Sequence, residues 1–221
     1  MPAFDYLGWV ARARAFTARV GNQPHGEVRS AVVALPATQS EVDAVERTLG
    51  RPIPPTFQAF LTQGASGLDC AYTLERGEAV STVFPNETRM FGGARISALS
   101  ELLDNQTSVS EWARDTWVAD DSAQRLIWES ALPISRLDNG DYLALDLGAD
   151  ANDPSVVYLN HDDESFTLAP GFLNFLDIWE RLCYIGPEHW LLGEFIGEHG
   201  YLDPDSDRAS QLRGLFMNTE Q

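Results

Sequence analysis

The chain has 221 residues, 44% hydrophobic and 22% charged, a balance that excludes an intrinsically disordered protein and permits one sizeable core, so a single domain over 1–221 is expected. Thirty-three acids against 15 bases give a net charge of −18, which excludes nonspecific adsorption to nucleic acid or an anionic membrane and points to a basic partner. Every base is Arg, and without Lys neither a Walker A phosphate loop nor Schiff-base chemistry is available.

Met1 to Gly21 interleaves Trp9, Val10 and Phe16 with Arg12, Arg14 and Arg19, so no signal peptide is expected there. No apolar run reaches the roughly 18 residues of a membrane span, and a soluble, cytoplasmic protein is expected. Instead, Trp9, Ala13, Phe16 and Val20 recur at helical spacing and predict a helix over about 3–20. Ala31–Leu35 reads either as a short strand or as an anchored approach to the next helix. Thr38 and Glu41 form a capping box ahead of Val42, Val45 and Leu49, with Gly50 closing the helix. Pro55 then suits the first turn of a new helix carrying Phe57, Phe60 and Leu61.

Alternation from Leu68 to Phe84 around Gly77 predicts a hairpin, and Pro85–Gly93 reads as loop. A short helix is expected through Leu102 and Leu103. Ser108 and Glu111 look like a second capping box, predicting a further helix with Trp112 and Trp117. After Leu132–Pro133–Ile134, the turn Asp138–Asn139–Gly140 introduces a strand over Asp141–Leu147, and Val156–Leu159 should pair with it antiparallel across an acidic loop. Phe172, Phe175, Leu176, Trp179, Leu182 and Cys183 give the clearest helical stripe. Shorter helices are expected over Pro187–Ile196 and Ser206–Met217.

Cys70 and Cys183 lie in apolar surroundings and read as reduced core residues, a disulfide between them being the alternative. Among chemical constellations, His161–Asp162–Asp163–Glu164 with Asp141 and Asp146 has the donors for a divalent metal or for acid–base work, although no second histidine has ligand spacing. Asp146, Asp150, Asn152 and Asp153 lack the glycine and distal glutamate of a calcium loop, and Gly64–Ala65–Ser66–Gly67 lacks nucleophile-elbow spacing. Trp9, Trp112, Trp128 and Trp179 fall on apolar stripes, as core residues do. No cofactor is implied.

Charge is unevenly distributed: residues 1–114 hold 12 acids and 10 Arg, whereas 115–221 hold 21 acids and 5 Arg. Asp138 to Glu164 carries eight acids and no Arg. Such a stretch serves solubility, or steers a basic partner toward Asp138, Asp141, Asp150, Asp153, Asp162, Asp163 and Glu164.

Three stretches, in order, resemble the SUKH superfamily. Pro36–Val42 through Leu49–Leu61 is similar to its capped helix, Leu-Gly, proline turn and Phe-x-x-Phe-Leu helix. Leu132–Ile134, Asn139–Leu147, Val157–Tyr158 and His161–Glu164 are similar to its central hairpin and acidic turn. Phe172–Leu176 is similar to the helix that closes its sheet. The resemblance implies an α+β fold, a twisted antiparallel sheet flanked by several helices, with a family-like core over about 36–185. It also implies a non-enzymatic role in protein binding, as in the bacterial immunity proteins or the fungal cell-wall-synthesis regulator that the superfamily groups together. The expectation that follows is an immunity protein neutralising a basic toxin domain, a nuclease among the candidates, with a regulatory scaffold second and a metal-dependent enzyme centred on His161 third.

Overall fold

A computed structural model describes residues 4–85, 87–115, 120–148, 150 and 152–217. The fold is α+β, as expected, with its antiparallel strands divided between two sheets. Helix α1 (Tyr6–Gly21) is capped by Asp5, which accepts from the Gly8 amide at 2.9 Å. Its buried face includes Tyr6, Trp9, Val10 and Ala13, and it lies over the first two strands of a three-stranded sheet, order β1-β2-β3. These strands are β1 (Gly26–Val33), β2 (Leu68–Glu75) and β3 (Arg89–Ile96). Ala31–Val33 is thus strand, and Leu35 beyond it is exposed.

Two helices cross between β1 and β2. In α2 (Gln39–Leu49) the capping box is complete: Thr38 and Glu41 exchange backbone-to-side-chain hydrogen bonds. Gly50 ends the helix at φ 70°, a left-handed conformation that costs glycine least. Helix α3 (Pro55–Gln63) starts on its proline and buries Phe57, Phe60 and Leu61.

The hairpin expected over Leu68–Phe84 does not form. Its second arm contains a single helical turn, α4 (Glu78–Ser81), and β2 pairs instead with β1 and with β3, which occupies part of the stretch read as loop. Next, a 3₁₀ turn (Leu99–Glu101) leads into α5 (Leu102–Trp112). Ser108 lies inside this helix and begins nothing, because Leu102, Asn105 and Val109 keep one buried face through it. Trp117 lies outside the described residues.

Helix α6 (Ser122–Ser130), capped by Asp121, precedes a four-stranded meander with β4 (Ala131–Arg136), β5 (Tyr142–Asp146), β6 (Ser155–Leu159) and β7 (Phe166–Ala169). All its pairings are antiparallel. Both faces of β5 are covered. Leu143 and Leu145 enter the main core, while Tyr142 and Ala144 pack with Val109, Ala113 and Trp128 of the α5–α6 layer. The two sheets meet where the Ser97 amide donates to the Ile134 carbonyl at 2.8 Å.

Helix α7 (Phe172–Arg181) brings Phe172, Phe175, Leu176 and Trp179 against the sheet and α3. Trp9 donates its indole N–H to the Leu176 carbonyl at 2.8 Å, joining α1 to α7. The short α8 (His189–Leu192), a 3₁₀ turn (Gly193–Phe195) and α9 (Asp207–Met217) follow. One core cluster contains residues from Tyr6 to Phe216. Cys70 and Cys183 are free and buried; burial raises their thiols to about 11 and about 12, so neither is a nucleophile near neutral pH. Among the described residues no helix is long and apolar enough to cross a membrane.

Candidate functional site

The geometry of the acidic stretch follows from the meander. Successive turns of an antiparallel meander lie at alternate ends, so the β4–β5 and β6–β7 turns share one end and the β5–β6 loop occupies the other. The five residues of β5 separate those ends by about 17 Å at about 3.4 Å per residue. Eight acids close in sequence therefore do not form one face.

At the first end, Asp141 is 1% exposed. Its Oδ2 accepts from the Tyr158 hydroxyl at 2.6 Å and from the Asn139 amide at 2.5 Å, and its Oδ1 accepts from the His161 backbone at 3.0 Å. His161 Nδ1 also lies 2.6 Å from Oδ1; a carboxylate only accepts, so Nδ1 carries the proton, and Nε2 is turned toward Asp162. The His161 ring packs on Trp112 of α5, centroids 5.1 Å apart. Gly140 brings the turn close to it at φ 96°, where a side chain would be strained. Burial, and then the bond to Asp141, holds the Tyr158 phenol well above its ordinary range.

Asp141 is thus an internal hub, and the expectation that it contributes to an exposed acidic face is corrected: its oxygens have been exchanged from water to four protein donors. Asp162, Asp163 and Glu164 are exposed on the adjoining turn, Asp162 with Oδ2 3.3 Å from His161 Nε2. Asp138 is also exposed, but Arg95 holds it at 2.6 Å and offsets part of its charge.

Carboxylates at the opposite end are used locally. Asp146 accepts from the Ser130 hydroxyl at 2.7 Å and the Gly148 amide at 2.9 Å, so it does not join His161. Asp150 accepts from the Asn152 amide at 2.8 Å. Asp153 accepts from the Leu173 amide at 3.2 Å, serving a free donor in the first turn of α7. Of the acids expected to form one surface, only Asp138, Asp162, Asp163 and Glu164 are exposed together at one end. Among the described residues no group of three His, Cys, Asp or Glu side chains is arranged to hold a metal ion.

The structure adds residues that sequence reasoning missed. A cleft of about 860 Å³ opens between the two sheets beside the Asp138–Gly140 turn. Asp69, Glu101, Asp104 and Asp138 line it against Arg95 and Arg136. Nothing in the sequence ties these acids together, since β2, the start of α5 and the β4–β5 turn meet only through tertiary packing. Glu188, just before α8, feels both Asp138 and Arg95, and desolvation raises its carboxyl above the ordinary value.

The model of the SMI1 / KNR4 family (SUKH-1) matches residues 36–178, well over half of the chain. The protein belongs to this family. Within the SUKH-1 segment fall α2, α3, both sheets from β2 onward and most of α7, together with every acid of the cleft and the adjoining turns. Helix α1, strand β1 and everything after residue 178 lie outside it. No curated protein matches the chain.

Proposed function

We propose that this SUKH-1 protein acts as a stoichiometric binder of a basic protein, and that the partner is a toxin domain which it neutralises by occlusion in the cytoplasm. The observation that carries the reading is the excess of acids at one end of the molecule, where Glu101 and Asp104 of the cleft and the exposed Asp162–Glu164 turn outnumber the charge that Arg95 offsets at Asp69 and Asp138. That surface stands on a rigid support: the buried Asp141 hub fixes both turns to one another, so the acids are presented with little ordering left to lose on binding. A nuclease cleft built for phosphate is complementary to such a surface, and opposed fields speed encounter while suppressing wrong partners.

The test is co-expression with the protein encoded by the neighbouring gene, scored as protection of cells from its toxicity together with co-purification of the two proteins. Wild-type chain should protect and co-purify at one-to-one stoichiometry. Asp104→Asn combined with Asp162→Asn, Asp163→Asn and Glu164→Gln should weaken capture at least ten-fold, more at low than at high salt. Undiminished protection by that variant would remove the acidic surface from the mechanism. Absence of any protection by the wild type would favour the regulatory-scaffold role.

A further inference from the structure

On a chain of net charge −18, four of the 15 arginines line one cleft. It has a volume of about 460 Å³ and is built by α1, the end of α7 with the residues after it, and α9. Arg12, Arg19, Arg181 and Arg213 line it against a single acid, Glu180, while Phe16, Tyr184 and Phe216 supply apolar lining. None of these residues belongs to the segment matched by the family model.

Two of the four arginines are neutralised locally: Arg12 pairs with Glu180 at 2.6 Å, and Arg181 pairs with Asp205. The other two have no carboxylate partner among the described residues. Arg19 stacks its guanidinium on the Phe16 ring, 4.8 Å from the centroid. Arg213 donates to the carbonyls of Pro204 and Arg181 and to the Ser210 hydroxyl, at 2.7, 3.3 and 3.0 Å. Both line the same cleft, one from α1 and one from α9.

Independent features mark the same place. Tyr184 is 2% exposed, and its hydroxyl has no hydrogen-bond partner among the described residues, an expensive state for a buried donor that is normally relieved. Cys183 and Tyr184 also stand consecutively in the left-handed region, at φ 56° and 54°. Backbone strain of that kind persists only where packing imposes it and concentrates at ligand clamps.

We propose that this cleft binds a small organic anion: a carboxylate or phosphate carried on an apolar or aromatic body. Arg19 and Arg213 would grip the anionic head, for which the guanidinium fork is suited. Phe16 and Phe216, packed edge to face with ring centroids 5.0 Å apart, would offer the body one apolar wall. The volume lies within the range of small-molecule sites, about 300–1,000 Å³.

Calorimetric titration of the full chain with phenyl phosphate, benzoate and inorganic phosphate tests this at low salt. Phenyl phosphate and benzoate should bind saturably, and phenyl phosphate at least ten-fold more tightly than inorganic phosphate. Arg19→Gln should weaken both organic ligands at least five-fold, and Arg19→Gln with Arg213→Gln should abolish binding, while Arg114→Gln, at an exposed arginine that does not line the cleft, should change nothing. Arg213 holds three backbone or hydroxyl partners, so if the double variant fails to fold, the exposed Arg19→Gln alone decides the matter. No saturable binding of either organic ligand, or equal losses in Arg19→Gln and Arg114→Gln, would overturn the site. Equal affinity for inorganic and phenyl phosphate would overturn the apolar half of the assignment.

Discussion

The two ends of the four-stranded sheet draw on the same acid-rich stretch and use it oppositely. At the β5–β6 end Asp146, Asp150 and Asp153 spend their oxygens on nearby hydroxyl and amide donors, tying the loop to itself, to α6 and to the start of α7. At the other end one carboxylate, Asp141, is driven inside and collects the local donors, leaving Asp138, Asp162, Asp163 and Glu164 on the surface. A run of acids is therefore a weak guide to a charged face. What matters is which carboxylates the backbone has already engaged.

The sharpest way to break the comparison is to remove the hub. Asp141→Ala leaves the buried Tyr158 hydroxyl and both donors of the part-buried His161 without their acceptor, while the exposed Asn139 amide can turn to water. Leaving a buried donor without its acceptor costs about 1–3 kcal/mol, and equilibrium urea unfolding should report a loss in that range. Asp141→Asn retains one acceptor oxygen and should lose less. A loss below about 1 kcal/mol for the alanine variant would mean that the hub is not holding the two turns together.

At the opposite end the corresponding change is smaller. Asp153→Ala removes a carboxylate from the first turn of α7, a capping interaction worth about 1 kcal/mol. The loss should appear as a lower urea midpoint with an unchanged slope, because the helix remains packed through Phe172, Phe175, Leu176 and Trp179. A cost equal to that of Asp141→Ala would erase the distinction between a local cap and a buried hub.

The contrast also explains what the sequence made legible. The Thr38–Glu41 box, Gly50, Pro55 and the Phe172–Leu182 stripe are decided within a few residues, and the structure has them where local rules put them. Strand β3 was hidden because Gly92 and Gly93 break its apolar pattern and its existence depends on pairing with β2. Ser108 and Glu111 satisfy the spacing of a cap, yet a continuous buried face carries the helix through them. Asp141 carries no local mark that distinguishes it from Asp138. Its fate is set by Tyr158 and His161, some 17 to 20 residues later, and by a strand register no short motif encodes. The cleft acids were illegible for the same reason.

Glu188 sharpens the comparison by pH. Its carboxyl is raised in the folded state, chiefly by desolvation, with Asp138 adding to the effect and Arg95 opposing it. Between the ordinary carboxyl value and the raised one the native state binds more protons than the unfolded state, so stability falls as pH rises through that window. The penalty is absent in acid, below the unfolded carboxyl value, and complete once the pH has passed the raised one. Glu188→Gln should accordingly raise the melting temperature at pH 7 and lose that advantage below about pH 4, near the unfolded carboxyl value. An advantage independent of pH would point to packing and away from the charge.

The smallest effect on stability belongs to the exposed turn, whose charges act on binding instead. Asp162→Asn, Asp163→Asn and Glu164→Gln together should move stability by no more than about 0.5 kcal/mol, since solvated side chains away from caps and cores contribute little. Removing three like charges from one turn of a chain at −18 relieves some self-repulsion, so even the sign can be slightly favourable. Association with a basic partner should respond in the other direction. Charges at the edge of an interface act on the rate of encounter, so stopped-flow measurement should give a slower association rate whose salt dependence is flatter than wild type, with dissociation almost unchanged. A variant that slows association without loss of stability would separate the surface acids from the buried one beneath them. If unfolding and association changed together, the turn would be part of the hub's architecture, and the division of labour at this end of the sheet would fail.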